Sequence, residues 1–363
     1  MKALVNTSTS SNGPDRHGAA SRQTGAARRR ATTVHDTTLT SGGARTSDRV
    51  FLGLSTGAAG MIMVILAGVA LFLIIQAIPA ITADWQATSL AQGVTQGYDS
   101  FWSYVGPLVW GTLWSAFLAL IIATPISIGI ALFISHYAPR RLAGSLGYLV
   151  DLLAAVPSIV FGLWGIIVIR PLLIPMSDWL NAHMGWFPLF SGAVTSTGST
   201  MLAGAVVLAV MVIPIITSIT REIFLQTPPL QEQAALALGA TKWEMIRLAV
   251  FPHARSGMIS AILLGLGRAL GETMAVAMII SPNLVYSLRI LTDGENSQTI
   301  AANIALNFPI ADDLQRRALI GTGLLLFAVS LAVNIIARLI ATGELSRRIA
   351  ARRRRRTTVE ETA

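Results

Sequence analysis

Long uncharged apolar stretches alternate along this chain with shorter polar, charge-bearing ones. About 20 apolar residues in a helix cover the ~30 Å hydrocarbon core of a bilayer. Six stretches reach that length: 51–78, about 107–135, about 146–169, 201–220, 258–280 and about 318–341. The pattern predicts an all-α integral membrane protein with six transmembrane helices. A soluble core does not hide six such runs in a chain of this size.

Composition agrees, with 53% hydrophobic and 12% charged residues. Soluble domains carry about a quarter charged residues. Cysteine is absent, which excludes a disulfide framework or a thiolate metal site. The histidines at 17, 35, 136, 183 and 253 show no metal-ligand spacing. No catalytic triad or carboxylate pair is evident, so neither a catalytic residue nor a metal site is expected.

A net charge of +9 raises the question of nucleic acid, and the distribution of charge answers it. With a cytoplasmic start, segments 1–50, 136–145, 221–257 and 342–363 lie inside. They hold 21 of the 27 Lys and Arg. The outside segments hold Arg170, Arg289, Arg316 and Arg317, while Arg268 and Arg338 fall in or near spans. This positive-inside bias places both termini in the cytoplasm, N-in and C-in. The run Arg352 to Arg356 then reads as a topology signal and an anchor to anionic membrane lipids rather than a nucleic-acid site.

Residues 1–48 are too polar to bury a core and are expected to form a disordered cytoplasmic tail. The first apolar run has no convincing cleavage site and reads as a retained span. A permease-sized domain then occupies 49–342, and 343–363 form a basic cytoplasmic tail. Outside connections fall at about 79–106, 170–200 and 281–316. The last mixes polar and apolar residues around Asn303 and Asn307, as a segment that re-enters or caps a channel would.

The inside connection 221–257 has its own pattern. Pro228 and Pro229 suit a first helical turn, strong helix formers follow, and Gly239 suits a left-handed cap. Thr241 and Glu244 have capping-box spacing. Two short helices bent at Gly239 are expected, the second stopped by Pro252. Small Ala234, Ala235 and Ala237 let another surface approach closely, so the segment is either a docking helix or a plain connection.

The segment resembles the cytoplasmic signature of ABC-importer permeases. Gln233-Ala234-Ala235, then Gly239, then Ala249-Val250-Phe251-Pro252 stand at that family's spacing. Gln233, Ala249 and Phe251 depart from its usual Glu, Ile and Leu. The resemblance implies a coupling helix seated in a groove of a separate ATPase subunit. A Walker A loop needs Gly-Lys-Ser/Thr, and the only lysines are Lys2 and Lys242, neither in that context. ATP and Mg are therefore expected on a partner, with no cofactor in this chain.

The fifth run contains Arg268 and Glu272 near the expected midplane. A mid-span charge costs on the order of 2.5–3.5 kcal/mol on insertion scales. Four residues apart on a helix, the two share a face and can pair. They read either as a structural ion pair or as a polar station in a substrate path. An arginine fork suits phosphate oxygens. A carboxylate suits an anion that still carries a proton, which sulfate does not near neutral pH. Gly267 and Gly271 offer a close-packing helix face. Pro125, Pro157 and Pro214 are expected to kink spans, with Ser158 and Thr217 bonding the freed carbonyls. Asp151 reads as an interfacial acid.

Leu-Gly-Leu-Gly-Arg-Ala-Leu-Gly-Glu-Thr-Met-Ala-Val (264–276) resembles the fifth-span signature of phosphate-transporter permeases, with a Met-Ala-Val ending typical of the PstC type. The runs 153–165 and 209–222 resemble the same family. The resemblance implies a type I ABC-importer (MetI-like) permease fold, with Arg268 and Glu272 as translocation residues for inorganic phosphate. It also implies a PstA-type sister permease, two PstB-type ATPase subunits and a PstS-type phosphate-binding protein as partners. Two other readings stay open: a same-fold permease for sulfate or molybdate, and a stand-alone secondary transporter using Glu272 as proton carrier.

Overall fold

In the computed structural model the described residues are 46–341. The expectations for the arginine run 352–356 and for nearly all of the polar head fall outside them. The chain divides into two compact units at Met61. The first, as described, is the opening part of helix α1 (Thr46–Thr82), whose apolar side chains such as Phe51 and Leu54 are exposed.

The second unit continues α1 and adds α2 (Phe101–Leu132), α3 (Arg140–Ala154), α4 (Ser158–Trp164) and α5 (Arg170–Met184). Then come α6 (Met201–Leu225), α7 (Pro229–Ala237), α8 (Lys242–Met245), α9 (Phe251–Leu270), α10 (Met274–Ile279), α11 (Ile300–Asn307) and α12 (Asp313–Ala341). Among the described residues every regular element is helical. Among them six continuous helical stretches are long and apolar enough to cross a membrane: Val50–Thr82, Phe101–Tyr137, Ser158–Met184, Met201–Leu225, Lys242–Leu270 and Asp313–Leu339. Six is an even number of crossings, as the charge bias requires.

The third crossing differs from the apolar run 146–169. That run breaks at Ala155-Val156-Pro157. Its first half belongs to α3, which places Asp151 outside the span, where it accepts a hydrogen bond from Ser218 Oγ at 2.6 Å. The crossing begins after Pro157, because proline disfavours helix in the residue before it. Pro157 thus starts a helix instead of kinking one. A wide π-turn, Gly165–Ile169, joins α4 to α5 and carries the helix through Arg170 to Met184. Arg170 is therefore inside a span, Arg316 and Arg317 fall in the first turns of the sixth crossing, and Arg289 remains outside.

The fifth crossing differs too. Pro252 does not stop a helix. A π-turn at Ile246–Val250 widens the ladder just before it, so α8 and α9 run on as one crossing. The helix ends at Leu270, and α10 restarts after Gly271-Glu272-Thr273.

α6 is the most enclosed crossing, lying against α2, α9 and α3. Lipid tails are as apolar as side chains, so close packing of small residues must hold such helices together. Ala116, Ala119 and Ala123 of α2 and Ala254, Ala261 and Gly265 of α9 are buried. A Cβ at Gly257 would meet Ile223 at 2.7 Å, and one at Gly265 would meet Ile216 and Val212 at 2.8 Å. These glycines, rather than Gly267 and Gly271, carry the close approach within the chain. Pro214 lies buried inside α6. Beside it Ser127 Oγ donates to Ile213 O at 3.2 Å and Thr217 Oγ1 to Ser127 O at 3.4 Å. Thr217 thus braces α6 to α2 instead of bonding a carbonyl freed by proline.

Gly265→Val is expected to destabilise the folded chain by roughly 1–3 kcal/mol through overpacking. A lower midpoint of thermal unfolding in detergent checks this, with Gly267→Val as the contrast. Around Gly267 nothing lies within 4 Å of an added Cβ. Equal midpoints would contradict the packing assignment.

Candidate functional site

The break between α9 and α10 organises the site. Glycine is a poor helix former, and Gly271 adopts a bridge-region conformation, φ −94° and ψ 2°. The Glu272 side chain then turns to the restart. Its Oε1 accepts from Ala275 N at 3.2 Å, a stabilising place for a carboxylate at a helix start. Glu272 is buried, at 7% exposure. Arg268, one turn earlier on α9, is exposed. It lines an open recess of about 540 Å³ with Ile215, Ser260, Leu263, Leu264, Gly267 and Asn334.

The helix break thus leaves one charge buried and the other exposed, where the sequence had placed both on one helix face. Among the described residues no ion pair joins Arg268 to Glu272. Gly267 and Gly271 are exposed beside Arg268, and neither packs against another helix among the described residues.

Sequence reasoning missed Arg170, since it ended the third run at Ile169 while the crossing continues to Met184. Its Nη2 donates to Met278 O and to Ile279 O, each at 2.7 Å. Its Nε is buried without a hydrogen-bond partner. A charge halfway along a crossing carries an insertion cost of about 2.5–3.5 kcal/mol, so this placement needs a compensating role. The signal was present: an arginine followed by Pro171 within a continuing apolar pattern.

The outer side is closed by the segment between α10 and α12. Leu202 N donates to Ile290 O and Ile290 N to Leu189 O, each at 3.0 Å. Tyr104 Oη donates to Asn303 Oδ1 at 2.7 Å, and Asn303 Nδ2 donates to Gln298 Oε1 at 3.1 Å. Asn303 is thus buried in α11, which packs on α12, α2 and α10. Arg289 pairs with Glu295 at 2.6 Å beside Trp110 and Tyr286.

On the inner side α7 and α8 form the bent pair expected of 228–245. Gly239 holds φ +86°, the left-handed region open to glycine. Its N–H bonds Leu236 O, and Ala240 N bonds Ala235 O, which closes α7. Thr241 and Glu244 form the reciprocal capping box, with Thr241 N to Glu244 Oε2 at 2.8 Å and Glu244 N to Thr241 Oγ1 at 3.3 Å.

Ala235 packs beneath, against the cluster of Met245, Ile246 and Phe224. Gln233 and Ala234 face outward, and Leu230 and Leu238 are 78% and 90% exposed. Gln233 contributes no charge. Its neighbour Glu232 lies 3.5 Å from His136 Nε2 at the inner end of the second crossing, a contact the sequence did not signal. Lys242 Nζ lies 4.7 Å from the centre of the Tyr137 ring at the same end. Pro252 lines a recess with Ile128, Phe251, Arg255 and Met258.

Six crossings, an irregular polar break after the fifth and a helical pair between the fourth and fifth are the frame of a transport-system permease. The chain belongs to the binding-protein-dependent transport system inner membrane component family, whose model matches residues 123–345. It is 42% identical over 307 residues to the phosphate transport system permease protein PstC 2 of Mycobacterium tuberculosis, covering 84% of this chain and 94% of that one. With the PstC protein of Xylella fastidiosa strain Temecula1 it shares 43% identity over 292 residues, covering 77% and 88%.

Its fold is also similar to a chain in the crystal structure of a bacterial ABC transporter involved in the import of the acidic polysaccharide alginate. The TM-score is 0.53 at 14% identity, covering 82% of this chain and 96% of that one. The protein is accordingly a multi-pass cytoplasmic-membrane protein with the ABC-importer permease fold.

Proposed function

We propose that this chain is the phosphate-conducting permease subunit of an ATP-driven importer. The observation that carries the reading is Arg268, exposed in an open recess on a crossing whose family supplies transport permeases. The names of the relatives, each at more than 40% identity over most of the chain, support phosphate as the substrate. Arg268 is the station that draws the anion, and its planar fork fits phosphate oxygens. Glu272 is the second translocation residue. Its carboxylate is engaged at the start of α10, and flexing at Gly271–Thr273 turns it toward a phosphate that retains a proton.

The open face around Gly267, Arg268 and Gly271 receives a homologous sister permease, so that the path runs between the two. ATP and Mg are held by two partner ATPase subunits, and a phosphate-binding protein delivers substrate from outside. α7, with outward-facing Gln233, Ala234 and Leu238, seats in the ATPase groove. Ala235 and Gly239 hold its shape, and Pro252 lies on the crossing it drives.

Deleting the gene and measuring labelled phosphate uptake at limiting concentration tests this. Uptake is expected to fall about tenfold and to return with a plasmid copy, with sulfate and molybdate uptake unchanged. Unchanged phosphate uptake, or loss of sulfate or molybdate uptake instead, would overturn the reading.

A further inference from the structure

We infer that Arg170 is a positioning residue for translocation: it clamps the outer end of the broken helix α10 and thereby fixes where Glu272 stands. The inference rests on the reading of Glu272 as a translocation residue.

α10 is only six residues long, Met274–Ile279. A helix of that length has few internal hydrogen bonds, and its last four carbonyls lack helical partners. Within a bilayer those carbonyls find no water, so something in the protein must satisfy them. Ile280 N takes Val276 O, at 3.0 Å. Arg170 takes the two at the very end, Met278 O and Ile279 O, through one Nη2. At the other end the Glu272 carboxylate bonds Ala275 N. An acid at the start and a guanidinium at the finish match the sign of the helix dipole at both ends. Glu272 and Arg170 therefore hold opposite ends of one short rod.

The local backbone is shaped for this clamp. The π-turn Gly165–Ile169 immediately precedes Arg170 and rotates the following helix relative to α4. Gly162 and Gly165 let α10 lie close: an added Cβ would meet Ala275 Cα at 3.1 Å and Ile279 Cδ1 at 2.6 Å. Gly198, at φ +67°, passes over the Arg170 backbone, where a Cβ would fall 2.9 Å from Arg170 Cβ. Arg170 is thus enclosed on the loop side and directed at the α10 terminus. Without it, two orphan carbonyls in the membrane favour unwinding or displacement of α10. The Glu272 cap, at the other end of the same rod, then shifts as well.

The chain has no native cysteine, so a single reporter is clean. Met274, at the start of α10, is exposed and suits Met274→Cys. Membranes carrying the whole importer are compared with and without Arg170→Met and Arg170→Lys. Arg170→Met is expected to raise the maleimide labelling rate of the reporter by about threefold or more. It is expected to lower maximal phosphate uptake about tenfold, with the half-saturating concentration unchanged. Lysine, a single-point donor, is expected to restore part of both, and it carries the test if the methionine variant fails to assemble.

Unchanged labelling, or normal uptake despite faster labelling, overturns the proposal. Glu272→Gln separates the two claims. If it transports normally while Arg170→Met still loosens the reporter, the transport role of Glu272 fails and the clamp stands. If Glu272→Gln is inactive while both Arg170 variants match the parent, the clamp alone fails.

Discussion

Arg268→Gln is expected to cut phosphate uptake by tenfold to a hundredfold while the importer still assembles. A hydrogen bond to a charged group contributes roughly 1.5–3 kcal/mol, and about 1.4 kcal/mol is a tenfold change in rate. Arg268 is exposed within its own chain and has no acidic partner among the ion pairs of the described residues. Removing it therefore leaves no buried charge orphaned, and chain stability is expected to be unaffected. Arg268→Lys keeps the charge but loses the fork, and intermediate uptake is expected. Labelled phosphate uptake and co-purification of the partner subunits, measured on the same preparations, check both parts. Wild-type uptake by Arg268→Gln would remove Arg268 from the path.

Leu238→Glu is expected to produce a comparable loss at the other end of the machine, by uncoupling. Leu238 is 90% exposed and follows directly on α7, so nothing among the described residues explains an apolar side chain there. A groove on the proposed ATPase partner would explain it. Placing a carboxylate in that apolar contact costs several kcal/mol unless it finds a partner. Substrate-stimulated ATP hydrolysis and uptake should fall together, with the permease fold intact. Gly239→Val tests the bend by another route. No atom lies within 4 Å of its added Cβ, so any effect comes from the left-handed conformation, about 1–2 kcal/mol for an ordinary L-residue and more when β-branched. Normal coupling in Leu238→Glu would show that α7 is only a connection.

The six crossings were legible because the bilayer sets a length that hydropathy reads directly. The bent helical pair of 228–245 was legible because Thr241, Glu244 and Gly239 satisfy backbone groups locally, within a few residues. The breaks were not. Apolar composition is the same on both sides of Pro157 and on both sides of Gly271. A window that counts apolar residues therefore cannot sense where the backbone leaves the helix. The π-turns at Gly165–Ile169 and Ile246–Val250 have no strong sequence mark either, and they decide where Arg170 points and why Pro252 is tolerated.

Gly267 and Gly271 drew attention as a small-residue pair. The packing face is the neighbouring series Ala254, Gly257, Ala261 and Gly265, fixed by contacts with Ile223, Ile216 and Val212 of α6. The lack of an Arg268–Glu272 ion pair among the described residues follows from the same limit, since the four-residue rule holds only while the helix continues.

The most direct test is ATP-dependent uptake of labelled phosphate by proteoliposomes holding this chain with its sister permease, ATPase and binding protein. The account predicts accumulation that requires ATP, persists in excess sulfate, and is lost in Arg268→Gln and Glu272→Gln complexes that still bind ATP. Accumulation without ATP, displacement by sulfate, or full uptake by both variants would contradict it.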